Sequence, residues 1–373
     1  MIQSNVKSRQ RPRLAWTREH LIRERSLALG QAIDTSTWKN YGSALNSYLT
    51  FVRIHDFPVE PTPDTLSFFI VFMCHHIRPK SVDSYLSGIC QQLEPYFPSV
   101  RDVRKSIICK RTLAGCKRLR GVPTIRKRAL SIDDLTQVIQ HYSNSSSHDD
   151  LLFVSQILTG FFALMRLGEL TVPDDKSIFD HRKITSRTLV SLSNNDYHFF
   201  LPGHKADKFF EGNTIIIQRR ADFINPLLHF KKYLSSRDRL FPFSSDLWLR
   251  ADGSRPSQTF FIRRMKLFFS HDVAGQSMRS GGATYLAELG VSPNLIQAIG
   301  RWASSAFQIY IRKNPVLLQA LLFGRWSGLE RRRRVWIRTS DAFLVTTCDS
   351  IYVVLSCAHN HVLCHVIWSG ASY

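Results

Sequence analysis

Apolar positions recur at helical spacing through the first third of the chain, with polar residues between them. Trp38, Tyr41, Leu45, Tyr48, Leu49 and Val52 form one stripe. Thr62-Pro63 reads as an N-cap followed by proline at the first helical position, opening a helix that carries Leu66, Phe69, Ile70 and Met73. Val82, Tyr85, Leu86 and Ile89 follow Pro79 as a third stripe. The pattern predicts a small helical bundle over 35–122, with 107–128 continuing it to a break at Gly121-Val122-Pro123.

A second region opens at Ser131-Ile132-Asp133-Asp134, a capping-box variant. The apolar run Leu151–Leu170 reads as one buried helix ending in Arg166 and Glu169. Thr188–Ser193, Tyr197–Leu201 and Thr214–Gln218 then read as strands, with Asn194-Asn195-Asp196 as the turn between the first two. Helical patterns return over Asn225–Leu234, Ser257–Ser270, Arg279–Leu289 and Asn294–Ile299. The expected fold class is mainly α with a small antiparallel β-sheet. The expected divisions are a basic arm over 1–34, the helical domain and linker over 35–122, a mixed α+β domain over 123–324, and a tail over 325–373.

Charge sharpens this picture. The 373 residues include 50 Lys/Arg and 29 Asp/Glu, a net charge of +21. Nearly all of the excess falls in three windows: 1–30 at +5, 101–128 at +10 and 325–338 at +5. Charge gathered in this way suits the phosphates of nucleic acid, and a purely solvated surface run is the bland alternative. Lys105, Lys110, Arg111, Lys117, Arg118, Arg120, Arg126, Lys127 and Arg128 are the candidate DNA contacts. The cluster from Lys117 to Arg128 could also serve as a nuclear address. The longest apolar run, Leu66–Cys74, is too short for a bilayer, and no membrane partner is expected. No apolar segment typical of a signal peptide opens the sequence, and seven scattered cysteines suggest no disulfide framework, so a reducing interior is expected. The tail crowds Cys357, His359, His361, Cys364 and His365, but their spacing matches no zinc finger.

Four short segments carry chemistry. They are Phe161–Leu170 with Arg166, Pro202–Lys208 with Lys205, Gly275–Thr284 with Gln276 and Arg279, and Gly300–Arg312 with Arg301, Trp302 and Tyr310. Transfer at a phosphodiester needs its developing negative charge neutralised, and guanidinium groups can do this bidentately. A tyrosine can hold the phosphoryl group as an ester, which conserves the bond energy for rejoining without ATP or metal. A lysine can protonate the leaving oxygen.

The ordered set Arg166, Lys205, Arg279, Tyr310 resembles the tyrosine recombinase (phage integrase-like) family over about residues 35–315, and looks closest to its fungal and retroelement branch of DNA breaking-rejoining enzymes. The resemblance implies an N-terminal helical core-binding (SAM-like) domain and an α+β integrase-like catalytic domain clamping double-stranded DNA. It implies Tyr310 as the nucleophile forming a 3′-phosphotyrosyl intermediate, and Arg166 and Arg279 on the phosphate. It gives Lys205 as the general acid, with Lys208 as runner-up. It further implies transient homo-oligomers on DNA, no cofactor, origin in a mobile element and a nuclear location.

Two positions depart from the family pattern. Gln276 stands where a histidine or lysine is usual, and His271 nearby is out of register. At the third motif, Arg301 matches by spacing to Tyr310 and Trp302 matches by residue type. Gln276 favours the alternative of a recombinase-fold protein that binds DNA without cutting it. A type IB topoisomerase-like relaxing enzyme shares the chemistry and is the other alternative.

Overall fold

The computed structural model describes residues 13–302 apart from 124–125, 205–206 and 208, together with the backbone of four strands between 335 and 364. The chain divides into two compact units, Met1–Thr124 and Ile125–Tyr373. It is mostly helical, with a small three-stranded antiparallel sheet in the second unit.

The first unit contains α1 (Arg18–Gly30), α2 (Thr35–Ile54), α3 (Pro63–His76), α4 (Pro79–Leu93), α5 (Val100–Lys105) and α6 (Ile107–Arg120). The Thr62 hydroxyl caps α3 and forms a capping box with Thr65. The core joins Ala44, Tyr48, Phe51 and Val52 of α2 to Leu66, Phe69 and Ile70 of α3 and Val82, Leu86 and Ile89 of α4. Tyr48 and Phe51 each meet Phe69 edge-on at 5.5 Å between ring centroids. The expected α2 stripe is corrected at both edges: Trp38 is 54% exposed and Leu49 is exposed, while Phe51 turns inward. Six apolar positions make a band wider than the surface that α3 and α4 cover.

Within the expected 1–34 arm, 18–30 forms α1. Thr17 accepts the His20 N–H at 3.2 Å and starts the helix. Its Arg, Glu, Leu and Ala residues favour helix intrinsically, yet α1 buries no residue.

The second unit begins with α7 (Ile132–His141), whose Ser131–Asp134 capping box is formed, and α8 (His148–Phe162). The single helix expected over 151–170 is two. The chain leaves α8 at Ala163, turns through Leu164 at φ +50° and re-enters as α9 (Leu167–Leu170). The Met165 N–H donates to Gly160 O at 2.9 Å, closing the turn. Ala163, Leu164 and Met165 are as buried as the helix around them, so hydrophobicity carries no sign of the break.

Three short 3₁₀ turns lead to β1 (Val190–Leu192), β2 (Asp196–Leu201) and β3 (Asn213–Gln218), in spatial order β1-β2-β3. Val190 faces Phe199, Tyr197 faces Ile217 and Leu201 faces Asn213. Tyr197, Phe199 and Leu201 alternate onto the buried face. Tyr197 stacks on Phe230 at 4.0 Å and shares a 2.8 Å hydrogen bond with Thr159 of α8. This ties the sheet to α8 and α10 (Pro226–Leu240).

The helices α11 (Gln258–Met265), α12 (Gln276–Glu288) and α13 (Pro293–Gly300) follow. α12 begins three residues earlier than the pattern around Arg279 indicates. It meets α8 through glycine: a Cβ on Gly282 would lie 1.9 Å from Phe161 O, and one on Gly281 would lie 2.2 Å from Leu130 O. Bare backbone at those two positions sets the depth at which Arg279 enters the unit. In the tail, β4 (Val335–Thr339), β5 (Ala342–Thr347), β6 (Ser350–Cys357) and β7 (Asn360–Cys364) form an antiparallel sheet in chain order. Among the described residues, no helix is long and apolar enough to cross a membrane.

Candidate active site

Three arginines from distant segments meet at the Leu164 turn. Arg166 lies just after the turn and precedes α9. Its backbone N–H donates to Glu169 Oε2 at 3.0 Å, and its Nη1 donates to Glu169 Oε1 at 2.9 Å. Arg301 follows α13 in the left-handed conformation, at φ +55°. Its Nη2 donates to Glu169 Oε2 at 2.9 Å, and its Nη1 donates to Ile299 O at 3.0 Å and Ala163 O at 3.3 Å. Arg279 reaches from the first turn of α12. Its Nη1 donates to Leu164 O at 2.6 Å and its Nη2 donates to Gly300 O. The Leu164 carbonyl also accepts from Arg301 Nη2 at 3.4 Å. The turn therefore presents one carbonyl to two guanidinium groups.

Burial differs among the three. Arg279 is 2% exposed, and the Trp302 ring covers its guanidinium at 4.0 Å. That ring folds back over Gly300, where a Cβ would sit 1.6 Å from it. The Arg301 side chain is 7% exposed and its Nε is buried without a partner among the described residues. Arg166 is the most open, at 21%.

Glu169 lies between two of these cations with its side chain 5% exposed. Burial pushes its carboxyl up, but the Arg301 charge and the Arg166 N–H outweigh burial and hold it below the usual carboxylate range. Burial depresses the Arg301 guanidinium from its ordinary value, Glu169 opposes that shift, and Arg166 adds to it. His204, on the connection leaving β2, is half-buried. Its imidazole is lowered first by burial and then by the Arg301 charge, and it hydrogen-bonds the Asn213 side chain.

Arg166, Arg279, Arg301 and Trp302 are thus brought together. Gln276 is exposed at the first position of α12, one turn from Arg279. His271 is exposed in the preceding loop, and its carbonyl accepts from Lys127. Lys205, Lys208 and Tyr310 lie outside the described residues, as do His359 and His365. Sequence reasoning placed Glu169 beside Arg166 but gave no sign of its link to Arg301, 132 residues away. It also missed the carbonyls of Leu164 and Gly300, which follow from backbone path, and it gave His204 no role.

The basic segment is shared between the two units. On α6, Cys109 and Cys116 point into the core while Lys110, Arg111, Lys117, Arg118 and Arg120 are exposed. Arg111 and Arg118 lie two turns apart, opposite the buried face. Lys117 pairs with Asp83 at 3.0 Å, and Lys105 with Asp102 at 3.4 Å. In the second unit Arg128 pairs with Asp134 and Asp272, while Arg126 and Lys127 are exposed.

Solved structures with the same architecture include the XerH site-specific recombinase bound to palindromic difH substrate in a post-cleavage complex. It shares 16% identity with this chain at a TM-score of 0.52, over 74% of this chain and 78% of that one. Lambda integrase bound to DNA is similar at 13% identity and a TM-score of 0.50, over 84% of this chain and 99% of that one. The chain therefore has the fold of the tyrosine recombinases and integrases. No protein-family model and no curated protein matches it.

Proposed function

We propose that this chain is a DNA strand transferase of the tyrosine recombinase type, acting in site-specific recombination or integration on double-stranded DNA. The convergence of Arg166, Arg279 and Arg301 at the Leu164 turn carries this reading. Three guanidinium groups with one buried carboxylate leave a local excess of positive charge. Among the described residues the buried Arg301 Nε has no partner, a state that costs about 1–3 kcal/mol until an acceptor reaches it. A phosphate oxygen is such an acceptor. On this reading Tyr310 attacks the scissile phosphorus, the arginines neutralise the charge that develops on the non-bridging oxygens, and Lys205 protonates the leaving 5′ oxygen. The exposed α6 residues grip the backbone, and transient self-association on paired sites and a nuclear location accompany this role.

A pool of nicked duplexes tests the proposal. A covalent protein–DNA adduct on a denaturing gel is expected, and it should vanish in Tyr310→Phe. An adduct that persists in that variant would remove Tyr310 as nucleophile.

A second reading, DNA binding without strand cutting, is favoured by two features. Gln276 cannot relay a proton, and Arg279 lies beneath Trp302, so phosphate must displace that ring to reach it. Salt-sensitive DNA binding with no adduct from any duplex would select this reading.

A further inference from the structure

Arg128 belongs by sequence to the basic run that suits phosphate, yet in the fold its guanidinium is committed to the protein. Its Nε donates to Asp272 Oδ2 at 3.1 Å, its Nη1 to Asp134 Oδ2 at 2.5 Å and its Nη2 to Asp134 Oδ1 at 3.2 Å. Its backbone N–H donates to Asp272 O at 2.7 Å. One cation between two carboxylates leaves a net negative charge at this point, which disfavours a further anion. The two carboxylates belong to different elements. Asp134 closes the capping box of α7, taking the Ser131 N–H at 2.7 Å. Asp272 lies in the loop before α12 and accepts the Ser270 hydroxyl at 2.5 Å. Beside it, the His271 carbonyl accepts from Lys127. Two residues after Arg128, the Leu130 N–H donates to Ser277 O at 3.0 Å, and the Leu130 carbonyl lies against Gly281. Ser277 and Gly281 flank Arg279, two residues away on either side. The segment 127–130 thus follows the loop into α12 and touches that helix on both sides of Arg279.

We propose that Arg128 is a positioning residue for the arginine cluster rather than a DNA contact: it clasps segment 127–130 to the loop before α12 and so fixes where Arg279 meets the Leu164 and Gly300 carbonyls. The assignment rests on the recombinase reading. Arginine suits the task because its planar fork directs Nε and both Nη groups at fixed angles, whereas a lysine ammonium is a single point that serves one carboxylate. The tolerance is small. Arg279 Nη1 lies 2.6 Å from Leu164 O, so a shift of α12 by about 1 Å takes that pair out of hydrogen-bond range. A displacement of about 1 Å at a reacting site is worth up to about a hundredfold in rate.

Single-turnover cleavage by the full chain, measured over a range of concentrations of a nicked duplex that yields the covalent adduct, tests the assignment. Arg128→Gln should lower the rate at saturating duplex by about tenfold to a hundredfold, with the half-saturating concentration and the salt slope of binding unchanged. A phosphate contact would do the reverse, lowering the slope by about 0.9 and sparing the saturated rate. Arg128→Lys keeps the charge and should still lose rate, because it reaches one carboxylate only. Asp272→Asn gives the sharper contrast. It removes a negative charge and frees the guanidinium, so a phosphate contact would gain, whereas a clasp should lose about tenfold in saturated rate. Asp272→Glu, which keeps a carboxylate, should stay near the parent. Urea midpoints measured alongside mark any variant that is unfolded under the assay conditions. Hydrogen exchange across 270–283 reads the clasp without cleavage. It should quicken by about fivefold or more in Arg128→Gln, the equivalent of one hydrogen bond, and exchange at the parent rate would overturn the clasp. An unchanged saturated rate in both Arg128→Gln and Asp272→Asn, or a salt slope lowered by about 0.9 in Arg128→Gln, would overturn the positioning role while leaving the recombinase reading intact. Absence of adduct from the parent chain would overturn the recombinase reading, and exchange would then decide the clasp by itself.

Discussion

Replacing Glu169 by glutamine removes the one carboxylate that joins two arms of the arginine cluster. In the folded chain that carboxylate accepts from the Arg166 backbone, from Arg166 Nη1 and from Arg301 Nη2, all at 2.9–3.0 Å. Glutamine keeps the shape but presents an amide group to one cation and carries no charge for either. Removing one partner from a buried pair costs about 3–5 kcal/mol, because the remaining charge stays out of water. Arg166 is partly open to solvent and recovers some hydration, which places the estimate near the lower bound, about 3 kcal/mol. For a domain of this size that corresponds to a Tm lowered by about 6–12 °C. The pH dependence has a definite sign. The Glu169 carboxyl titrates below its ordinary 4.5, so the stability it lends is complete above that value and is lost as pH falls through the lower, folded-state value. The penalty of Glu169→Gln should therefore shrink in acid. Urea denaturation at neutral pH and near pH 4 measures both effects. A cycle with Arg301→Met should show the double variant less damaged than the sum of the singles, by at least about 1 kcal/mol. A loss below about 1 kcal/mol for Glu169→Gln, or strict additivity in the cycle, would refute the carboxylate as the shared counter-ion.

Gly282→Ala should destabilise by about 3 kcal/mol, the upper end for overpacking, because the new methyl meets the Phe161 carbonyl rather than a side chain that can yield; an unchanged urea midpoint would contradict that contact. His148 is buried with Nε2–H donating to Leu249 O at 3.0 Å and Nδ1 accepting from Ser236 at 2.9 Å, and burial lowers its pKa. Stability should then be complete above about pH 6.5 and fall as pH drops below it, and an imidazole signal titrating at or above 6.5 would sink the argument. On the proposed function, Arg111→Gln with Arg118→Gln should weaken duplex binding and reduce the slope of log K against log salt by about 1.8; an unchanged slope would place that face of α6 away from DNA.

What the sequence revealed depended on whether the deciding interaction is local. The N-cap at Thr62 and the capping box at Ser131 are devices of a few neighbouring residues, and both form where the residues indicate. The alternation of Tyr197, Phe199 and Leu201 reads directly as a half-buried strand. The break at 163–166 left no trace, because Leu164 and Met165 are buried on either account and a positive φ at leucine has no compositional mark. The inward turn of Phe51 and the exposure of Trp38 depend on which neighbours cover α2, a tertiary fact. For the site, residue type and spacing pointed to arginines that do meet in the fold. The groups that hold them there are largely main-chain atoms of residues whose side chains say nothing about the task.

That main-chain anchoring has a further consequence. Ala163 and Leu164 lie at the carboxyl end of α8, and Ile299 and Gly300 at the carboxyl end of α13. Each helix end carries the equivalent of about half a negative charge. Two such poles are directed at Arg279 and Arg301, so the cations are balanced in part by peptide dipoles rather than by acidic side chains. Any sequence that ends both helices at these points offers the same acceptors. The cradle can then persist while the residues that build it drift, provided the two helices keep their lengths.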